Sequence, residues 1–203
     1  MAAIVGAPLP AFSGQAYHNG AFKQIDFKDG VLKIGDEEIR NKKIVLFFYP
    51  LDFTFVCPTE ILAFSDSLDE FEKRNTVVIA ASIDSHFSHY GWANTPRAKG
   101  GIEGVRYPIL SDINKTASRA FGVLKEGFEV AVRGLFIANK NGVLKHATIN
   151  DLDLGRNVDE VLRVLDAIDY TEEHGEVCPA NWKKGDKAMK PTQEGLEEYA
   201  SSR

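Results

Sequence analysis

The segment that decides the fold is IVLFFYPLDFTFVCPTE, residues 44–60. It begins as an unbroken apolar run rich in aromatic and β-branched residues, which is typical of a strand buried on both faces of a largely parallel sheet. Pro50 ends the predicted strand because proline cannot donate to a strand ladder. After a short loop, Cys57 precedes Pro58, a residue type favoured at the start of a helix. Cys57 is therefore predicted at a helix N-terminus beyond the carboxyl end of a core strand, where open α/β sheets usually bind ligands.

This position favours a reactive sulfur at Cys57. An ordinary cysteine thiol is a weak nucleophile with a pKa of about 8.5. The unpaired amides and the dipole of a helix N-terminus favour the thiolate, and Thr54, one turn upstream, offers a hydroxyl to the same place. Position alone is equally consistent with a structural cysteine, because free cysteine is among the most buried residue types. Both interpretations remain open at this level.

Strands and helices alternate along most of the chain. Asn19-Gly20 and Asp29-Gly30 predict tight hairpin turns near the N-terminus, and Asn157 with Glu160 resembles a capping box that starts the last clear helix. Beyond Glu172 the regular pattern stops. Between these points, apolar spacing predicts helices at 58–74, 84–94 and 114–121, and strands at 76–83, 107–110, 131–138 and 143–149.

This order predicts an α/β fold: a thioredoxin-like sandwich in which helices flank a central mixed sheet, with N-terminal hairpins and a C-terminal tail. The strands at 131–138 and 143–149 are joined by Asn141-Gly142, so we expect them to form an antiparallel hairpin at one side of the sheet. We expect one domain over residues 1–172 and a C-terminal arm over residues 173–203.

Charge and hydropathy argue against two kinds of partner. The 203-residue chain has a formal net charge of -5 and a sequence pI near 5.6, so no basic stripe is available for nucleic acid. The longest apolar run, residues 44–49, is far shorter than the roughly 20 residues that span a membrane. Residues 1–8 contain no basic residue and too short an apolar segment for a secretion signal. We therefore expect a cytoplasmic protein.

In the cytoplasm the two cysteines, Cys57 and Cys178, are normally kept reduced. Redox chemistry or a metal site is then a better explanation for them than a permanent disulfide. His86 and His89 lie three positions apart on a predicted helix, but no further ligand spacing accompanies them. We expect a packing or surface role for both histidines, and neither a metal nor a cofactor.

Four motifs together resemble the typical two-cysteine peroxiredoxins, a family that includes alkyl hydroperoxide reductase C and thioredoxin peroxidase. Residues 50–60, PLDFTFVCPTE, resemble the family's peroxidatic loop: Pro, three residues, Thr or Ser, two residues, Cys. Residues 133–137 resemble the strand that carries the active-site arginine, and Gly155-Arg156 resembles a further matched position. Residues 174–180, HGEVCPA, resemble the segment of the resolving cysteine. The motifs occur in the expected order and cover nearly the whole chain.

The resemblance implies a thiol peroxidase in which Cys57 attacks a hydroperoxide and becomes a sulfenic acid. Arg133 would favour the thiolate and stabilise charge on the peroxide oxygens, and Thr54 would orient the peroxide. Pro50 would shield the sulfur from water. Without the family, Arg133 would more often be a surface arginine, and Thr54 a cap or turn residue.

Three further residues receive roles from the same resemblance. Glu60 would orient an arginine, with Arg156 as the second member of that network. Cys178 would condense with the sulfenic acid to form a disulfide between two subunits of a homodimer. Five such dimers commonly form a ring in this family, and thioredoxin or a flavoprotein reductase restores the dithiol. Taken alone, Glu60 could be a first-turn carboxylate that matches the helix dipole, and Cys178 an inert tail thiol.

The chain departs from the family's peroxide-sensitive members at two places. Ile102-Glu103 follows Gly100-Gly101 where those members usually have Gly-Gly-Leu-Gly, and Tyr199-Ala200 stands where they usually have Tyr-Phe. Losing the aromatic side chain at Ala200 should weaken packing of the tail, which in sensitive members slows local unfolding around the peroxidatic cysteine. We expect an enzyme that over-oxidises slowly.

Three alternatives complete the hypotheses. A redox-regulated oligomeric chaperone, or holdase, is compatible with the same family. A thioredoxin-like disulfide exchanger is disfavoured because no second cysteine follows Cys57 at a spacing of two residues. A one-cysteine peroxiredoxin is disfavoured by the motif around Cys178.

Overall fold

The computed structural model describes residues 3–202, which form two compact units that divide between Arg156 and Asn157. The domain boundary that the sequence predicts between residues 172 and 173 stays a prediction. In the part of the chain described here, no helix is long and apolar enough to cross a membrane.

The first unit is built on a nine-stranded mixed sheet. Its strands are β1 (Phe12–His18), β2 (Ala21–Lys28), β3 (Val31–Ile34), β4 (Glu37–Ile39), β5 (Lys43–Phe48), β6 (Thr76–Ser82), β7 (Ile109–Ser111), β10 (Arg133–Ala138) and β11 (Leu144–Asn150). They are arranged in the order β11-β10-β5-β6-β7-β1-β2-β3-β4. Two further strands, β8 (Leu124–Lys125) and β9 (Val130–Ala131), form a separate ribbon. Its helices are α1 (Cys57–Asp66), α2 (Leu68–Lys73), α3 (His86–Ala93) and α4 (Thr116–Ala120), with a short 3-10 turn at Arg97–Lys99.

Strand β5 lies inside the sheet, and all six of its residues are buried. It pairs in parallel with β6, where Val45 faces Val78, and antiparallel with β10, where Phe47 faces Leu135. Burial on both faces explains the unbroken apolar run, as the sequence predicts. The antiparallel pairing sets the beginning of β10 beside the end of β5, the end from which the chain enters the loop that leads to Cys57.

The N-terminal hairpins are part of the main sheet, because β1 pairs with β7 as well as with β2. Their two predicted turns are confirmed. Asn19 and Asp29 have φ angles of 50° and 52°, and each precedes a glycine that also has positive φ. Such paired left-handed residues give the turn twist that suits a two-residue hairpin.

Two predicted elements are each divided in two. The helix predicted over 58–74 is interrupted at Ser67, which ends α1 and precedes α2. The predicted apolar face is nevertheless buried across both helices, since Ile61, Phe64 and Phe71 are inaccessible to solvent. The strand predicted over 131–138 is likewise split, because Ala131 pairs in the β8–β9 ribbon and β10 begins only at Arg133.

The second unit contains α5 (Val158–His174) and α6 (Gln193–Ser201). The side chain of Asn157 accepts from the amide of Glu160 at 3.2 Å, so the predicted cap starts α5. The prediction that regular structure stops beyond Glu172 is wrong, since α5 continues to His174 and α6 follows. Helix α6 is capped by Thr192 but buries only Gly195. Because α6 has no buried apolar stripe, the spacing of apolar residues in the sequence did not predict it.

Candidate active site

Cys57 is the first residue of α1 and is completely buried. Val56 occupies the N-cap position without a side-chain hydrogen bond, and Pro58 follows inside the first turn. The sulfur therefore lies at the positive end of the α1 dipole, with solvent excluded around it. This is the location that the sequence predicts from the strand, loop and proline.

Arg133 brings a guanidinium group to this sulfur. As the first residue of β10, it lies beside the end of β5, and its Nη1 contacts Cys57 Sγ at 3.4 Å. Its Nε donates to the carbonyl of Leu152 at 2.7 Å, which fixes the plane of the guanidinium. The Arg133 side chain is only 4% exposed, so its charge is poorly screened by water.

Glu60 joins two arginines on the other side of this contact. One carboxylate oxygen accepts from Arg133 Nη1 and, at 3.0 Å, from Arg156 Nη2. The other oxygen accepts from the backbone amide and Nε of Arg156, at 2.8 and 2.7 Å. All three side chains are at most 4% exposed. Glu60 is therefore a buried bridge rather than a solvated first-turn carboxylate.

Arg156 is held at every end of its guanidinium. Its Nη1 donates to the carbonyls of Phe48 and Gly134, at 2.7 and 2.8 Å. The central guanidinium carbon, Cζ, lies 4.8 Å from the ring centre of Phe47. Burial lowers the pKa of Arg156, and the hydrogen bonds to Glu60 oppose that effect. Arg156 thus ties the ends of β5 and β10 to helix α1.

The charges of this cluster balance only when the sulfur is ionised. Two guanidinium groups contribute two positive charges, and Glu60 contributes one negative charge. A thiolate at Cys57 makes the buried set neutral, whereas a thiol leaves one uncompensated cation away from water, which is unfavourable. The arrangement therefore suits a nucleophilic thiolate that reacts with a small electrophile.

Thr54 and Pro50 lie in the loop between β5 and α1. The Thr54 hydroxyl donates to the carbonyl of Leu51 at 3.0 Å, a turn contact that the simpler interpretation of this residue predicts. Pro50 is buried directly beyond β5. Phe53 in the same loop has a φ of 55°, unusual for an aromatic residue, and its ring lies 5.7 Å from that of Trp92.

A buried polar network beneath this loop was not identified from the sequence. Asp52 accepts from the Tyr49 hydroxyl at 2.7 Å and lies 2.8 Å from Nδ1 of His89. Its own amide donates to Asp84 at 2.8 Å. Burial and the neighbouring Asp52 raise the pKa of Tyr49 well above its ordinary value, so its hydroxyl keeps its proton. The one available signal was an aspartate inside an otherwise apolar and aromatic loop.

His89 is thus a packed residue, as expected, while His86 contacts the exposed ring of Phe22 edge-on and that of Phe87 at a tilt. Among residues 3–202, no group of three or more His, Cys, Asp or Glu side chains is arranged to hold a metal ion.

The distal half of α1 is anchored to the segment before β7. The buried Tyr107 hydroxyl donates to the carbonyl of Ile61 at 2.7 Å. The amide of Arg106 donates to Ser65 Oγ at 3.2 Å, and Arg97 donates to both carboxylate oxygens of Asp66. These contacts hold the second half of α1, while the contacts of Glu60 with Arg133 and Arg156 hold its first turn.

Cys178 belongs to the second unit and is partly exposed. It follows Val177, which forms a β-bridge with Met189. Its Sγ lies 4.0 Å from the carbonyl of Ala167 on α5. Both cysteines are free thiols. The structure therefore brings Cys57, Arg133, Glu60 and Arg156 together, whereas Cys178 lies in a separate unit.

Comparison with known proteins agrees with the motifs. Residues 5–147 match the AhpC/TSA family, and residues 167–202 match the C-terminal domain of 1-Cys peroxiredoxin. The chain is 50% identical to rat peroxiredoxin-2 over 199 residues, covering 98% of this chain and 96% of that protein. It is 48% identical to a thioredoxin peroxidase of Echinococcus granulosus, over the full length of both.

A similar solved structure is the reduced 2-Cys peroxiredoxin of Plasmodium vivax. It superposes with a TM-score of 0.89 at 41% identity, covering 97% of this chain and 98% of that one.

Proposed function

Because this chain belongs to the AhpC/TSA family and is a two-cysteine peroxiredoxin with a thioredoxin-like fold, we propose a division of its peroxidase chemistry among its own residues. The protein is a thiol-dependent peroxidase. One observation carries the assignment of roles: the guanidinium of Arg133 lies 3.4 Å from the buried sulfur of Cys57, in a set whose charges balance with a thiolate.

The first step is attack by the Cys57 thiolate on the terminal oxygen of hydrogen peroxide or an organic hydroperoxide. The O–O bond breaks, the distal oxygen stays on sulfur as a sulfenic acid, and the other oxygen takes a proton and leaves as water or an alcohol. Arg133 lies where it can stabilise the charge that develops on both oxygens. Glu60 and Arg156 hold that guanidinium in place.

Thr54 and Pro50 complete the substrate side of this proposal. Thr54 donates to Leu51 in the reduced protein, and it orients the peroxide by turning its hydroxyl into the site. Pro50 shields the sulfur, which agrees with its burial beside β5. The burial of Cys57 strengthens the electrostatic contacts around its sulfur.

The second step joins the sulfenic sulfur of Cys57 to Cys178 of a second copy, releasing water. Cys57 is completely buried, so the first turn of α1 must unfold for this contact. Glu60 is held by Arg133 and Arg156, and the distal half of α1 by Tyr107 and Ser65, so we expect the opening to be confined to the residues before Glu60. Thioredoxin, as the name of the Echinococcus relative suggests, or a flavoprotein reductase then restores both thiols.

Self-assembly into a homodimer, and into a ring of five dimers, belongs to this proposal. Strand β11 is an edge strand of the sheet: Gly6 and Ala7 pair with Leu144 at its beginning, and the rest of its outer edge has no neighbouring strand among residues 3–202. Exposed aromatic side chains also cluster around α3 and the Cys57 loop, and Phe55 is 93% exposed. Such a patch favours contact with another copy.

A cytoplasmic location also remains part of the proposal. The peroxidase activity accounts for the site without a holdase function.

A non-reducing gel of the protein, with and without one equivalent of hydrogen peroxide, tests the mechanism and the subunit arrangement together. We expect a dimer band that requires peroxide and is absent in C57S and in C178S. C57S should also lose peroxide consumption, whereas C178S should still consume peroxide without forming the dimer band. An oxidised species of monomer size would contradict the intersubunit disulfide, and peroxide consumption by C57S would contradict the role of Cys57.

A further inference from the structure

Arg163 on helix α5 is held in one orientation by two neighbours. Its Nε and Nη2 donate to the two carboxylate oxygens of Glu160, at 2.6 and 2.7 Å, in the paired geometry that arginine makes with carboxylates. Its Nη1 donates to the carbonyl of Trp182 at 3.0 Å. The side chain is 28% exposed. All three nitrogens of this guanidinium are therefore used, and none of these contacts belongs to the Cys57 site.

The contact with Trp182 places this guanidinium beside the segment that carries Cys178. Cys178 Sγ lies against the carbonyl of Ala167, one helical turn beyond Arg163 on the same face of α5. Trp182 is fixed by its indole hydrogen bond to the carbonyl of Asp186 at 3.1 Å. Both ends of segment 178–182 thus contact α5, with the Arg163 guanidinium at the Trp182 end and Ala167 at the Cys178 end.

We propose that Arg163 is a positioning residue for the resolving step: it docks segment 178–182 on α5 and favours the thiolate form of Cys178. The proposal rests on the proposed role of Cys178 as the resolving cysteine. Arg163 and Cys178 belong to the same unit of the chain.

The charged and titratable groups that act on Cys178 agree with this role. Burial raises the pKa of Cys178, Arg163 lowers it, and Glu176 raises it. Glu176 is hydrogen-bonded to the Tyr170 hydroxyl at 2.7 Å, and this bond raises the pKa of Tyr170, which stays neutral. Within residues 3–202, Arg163 is therefore the charge that favours ionisation of a thiol whose other surroundings, burial and Glu176, oppose it.

The reaction shows why this matters. The Cys178 thiolate attacks the sulfenic sulfur of Cys57, the S–O bond breaks, the S–S bond forms, and the departing hydroxide takes up a proton to become water. The rate follows the thiolate fraction of the attacking thiol. With a raised pKa, only a small fraction of Cys178 is ionised near pH 7, so a lower pKa increases the rate, although the lower nucleophilicity of the less basic thiolate offsets part of the gain.

The experiment compares R163Q and R163K with wild type in stopped-flow fluorescence, which separates a peroxide-dependent oxidation phase from a peroxide-independent disulfide phase. We expect the oxidation phase to be unchanged. At pH 7 the disulfide phase should slow about two- to fourfold in R163Q, because the smaller thiolate fraction is partly offset by the greater nucleophilicity of a more basic thiolate. R163K keeps the charge and should lose less than about twofold. The R163Q deficit should close as pH rises and Cys178 ionises without help.

A matched control and a second readout keep the result interpretable. R40Q removes an arginine paired with Glu38 on the surface of the other unit and should change neither phase. In a C57S background, the pH midpoint for alkylation of Cys178 should rise by about half a unit to one unit with R163Q. If R163Q does not fold, R163M retains the aliphatic stem and replaces it.

Equal disulfide rates for R163Q and wild type at every pH would overturn the proposal. The proposal would also be overturned if R163Q slowed the disulfide phase equally at all pH values and left the pH midpoint for alkylation of Cys178 unchanged. That result would mean that Arg163 only docks the segment. If instead the disulfide phase persists in C178S, the proposed function itself fails, independently of Arg163.

Discussion

Replacement of Glu60 by glutamine tests the buried charge cluster most directly. The carboxylate contacts both Arg133 and Arg156, and all three side chains are shielded from water. E60Q keeps the shape of the side chain but removes its negative charge. Two guanidinium groups then share a dry site with no carboxylate between them. The companion variant R133M removes one of those cations and leaves the Glu60–Arg156 pair intact.

The two variants should differ in stability in a definite order. Removing one partner of a buried ion pair costs about 3–5 kcal/mol, because the remaining charge is left uncompensated. With Cys57 as a thiolate, E60Q leaves one net positive charge in the buried cluster and should fall in that range. R133M leaves a matched pair and an unsatisfied Leu152 carbonyl, for which about 1–3 kcal/mol is the expected loss. E60Q should therefore be the less stable variant by roughly 2 kcal/mol.

Activity should follow the opposite order. R133M loses the guanidinium that contacts Cys57, and removal of one such charge-stabilising donor typically costs about 10²- to 10³-fold in rate. E60Q retains Arg133 with less restraint, so its loss in the peroxide-dependent rate should be smaller. A variant that is more stable yet less active distinguishes catalysis from folding within one cluster.

Equilibrium urea unfolding of the reduced proteins at one fixed concentration measures the ranking of the variants by stability. Stopped-flow peroxide reduction measures their ranking by activity. E38Q is the matched control, since Glu38 also contacts two cations, Lys33 and Arg40, but its side chain is 41% exposed. Its cost should stay below about 1 kcal/mol. The reasoning is refuted if E60Q costs no more than E38Q, or if R133M destabilises the protein more than E60Q does.

Three further predictions concern pH, packing and over-oxidation. Burial raises the pKa of Asp84 above its model-compound value of 3.8, so folding favours its protonated form, and that contribution is lost as pH rises through the raised pKa. The free energy of unfolding of D84N minus that of wild type, measured in urea, should therefore be higher at pH 7 than at pH 4; a lower difference at pH 7 would contradict the raised pKa of Asp84. G101A should lower the thermal midpoint by several degrees, because an added Cβ would lie 1.9 Å from the Thr95 carbonyl oxygen; an unchanged midpoint would show that the loop yields freely. Mass spectrometry during turnover should find slow sulfinic acid formation at Cys57 and faster formation in A200F, whose new aromatic ring strengthens tail packing; rapid formation in wild type under modest peroxide would exclude this.

The sequence predicted the reactive end of the fold because its signals are local. The apolar run of β5, the proline that ends it and the cysteine before Pro58 act within a few residues of one another. The hairpin turns and the Asn157 cap are local for the same reason. Elements with weak local signals, such as α6 and the interruption at Ser67, were missed because neither apolar spacing nor a turn motif marks them.

The contacts of the site depend on the tertiary structure. The antiparallel register of β5 and β10 brings Arg133 to a sulfur 76 positions away in the chain, and Arg156 reaches Glu60 across 96 positions. Family motifs identified these residues but not the two-sided bridge of Glu60. The pairing of Asp52 with His89, 37 positions apart, had no motif at all.

By itself the sequence determined which residues can react and where the chain turns, since propensity, capping and hydrophobic period act between near neighbours. Only the tertiary structure decided which charges share a dry site. That choice depends on strand register and burial, and the energy of a charge depends on the partners and the water that remain around it once the chain is folded.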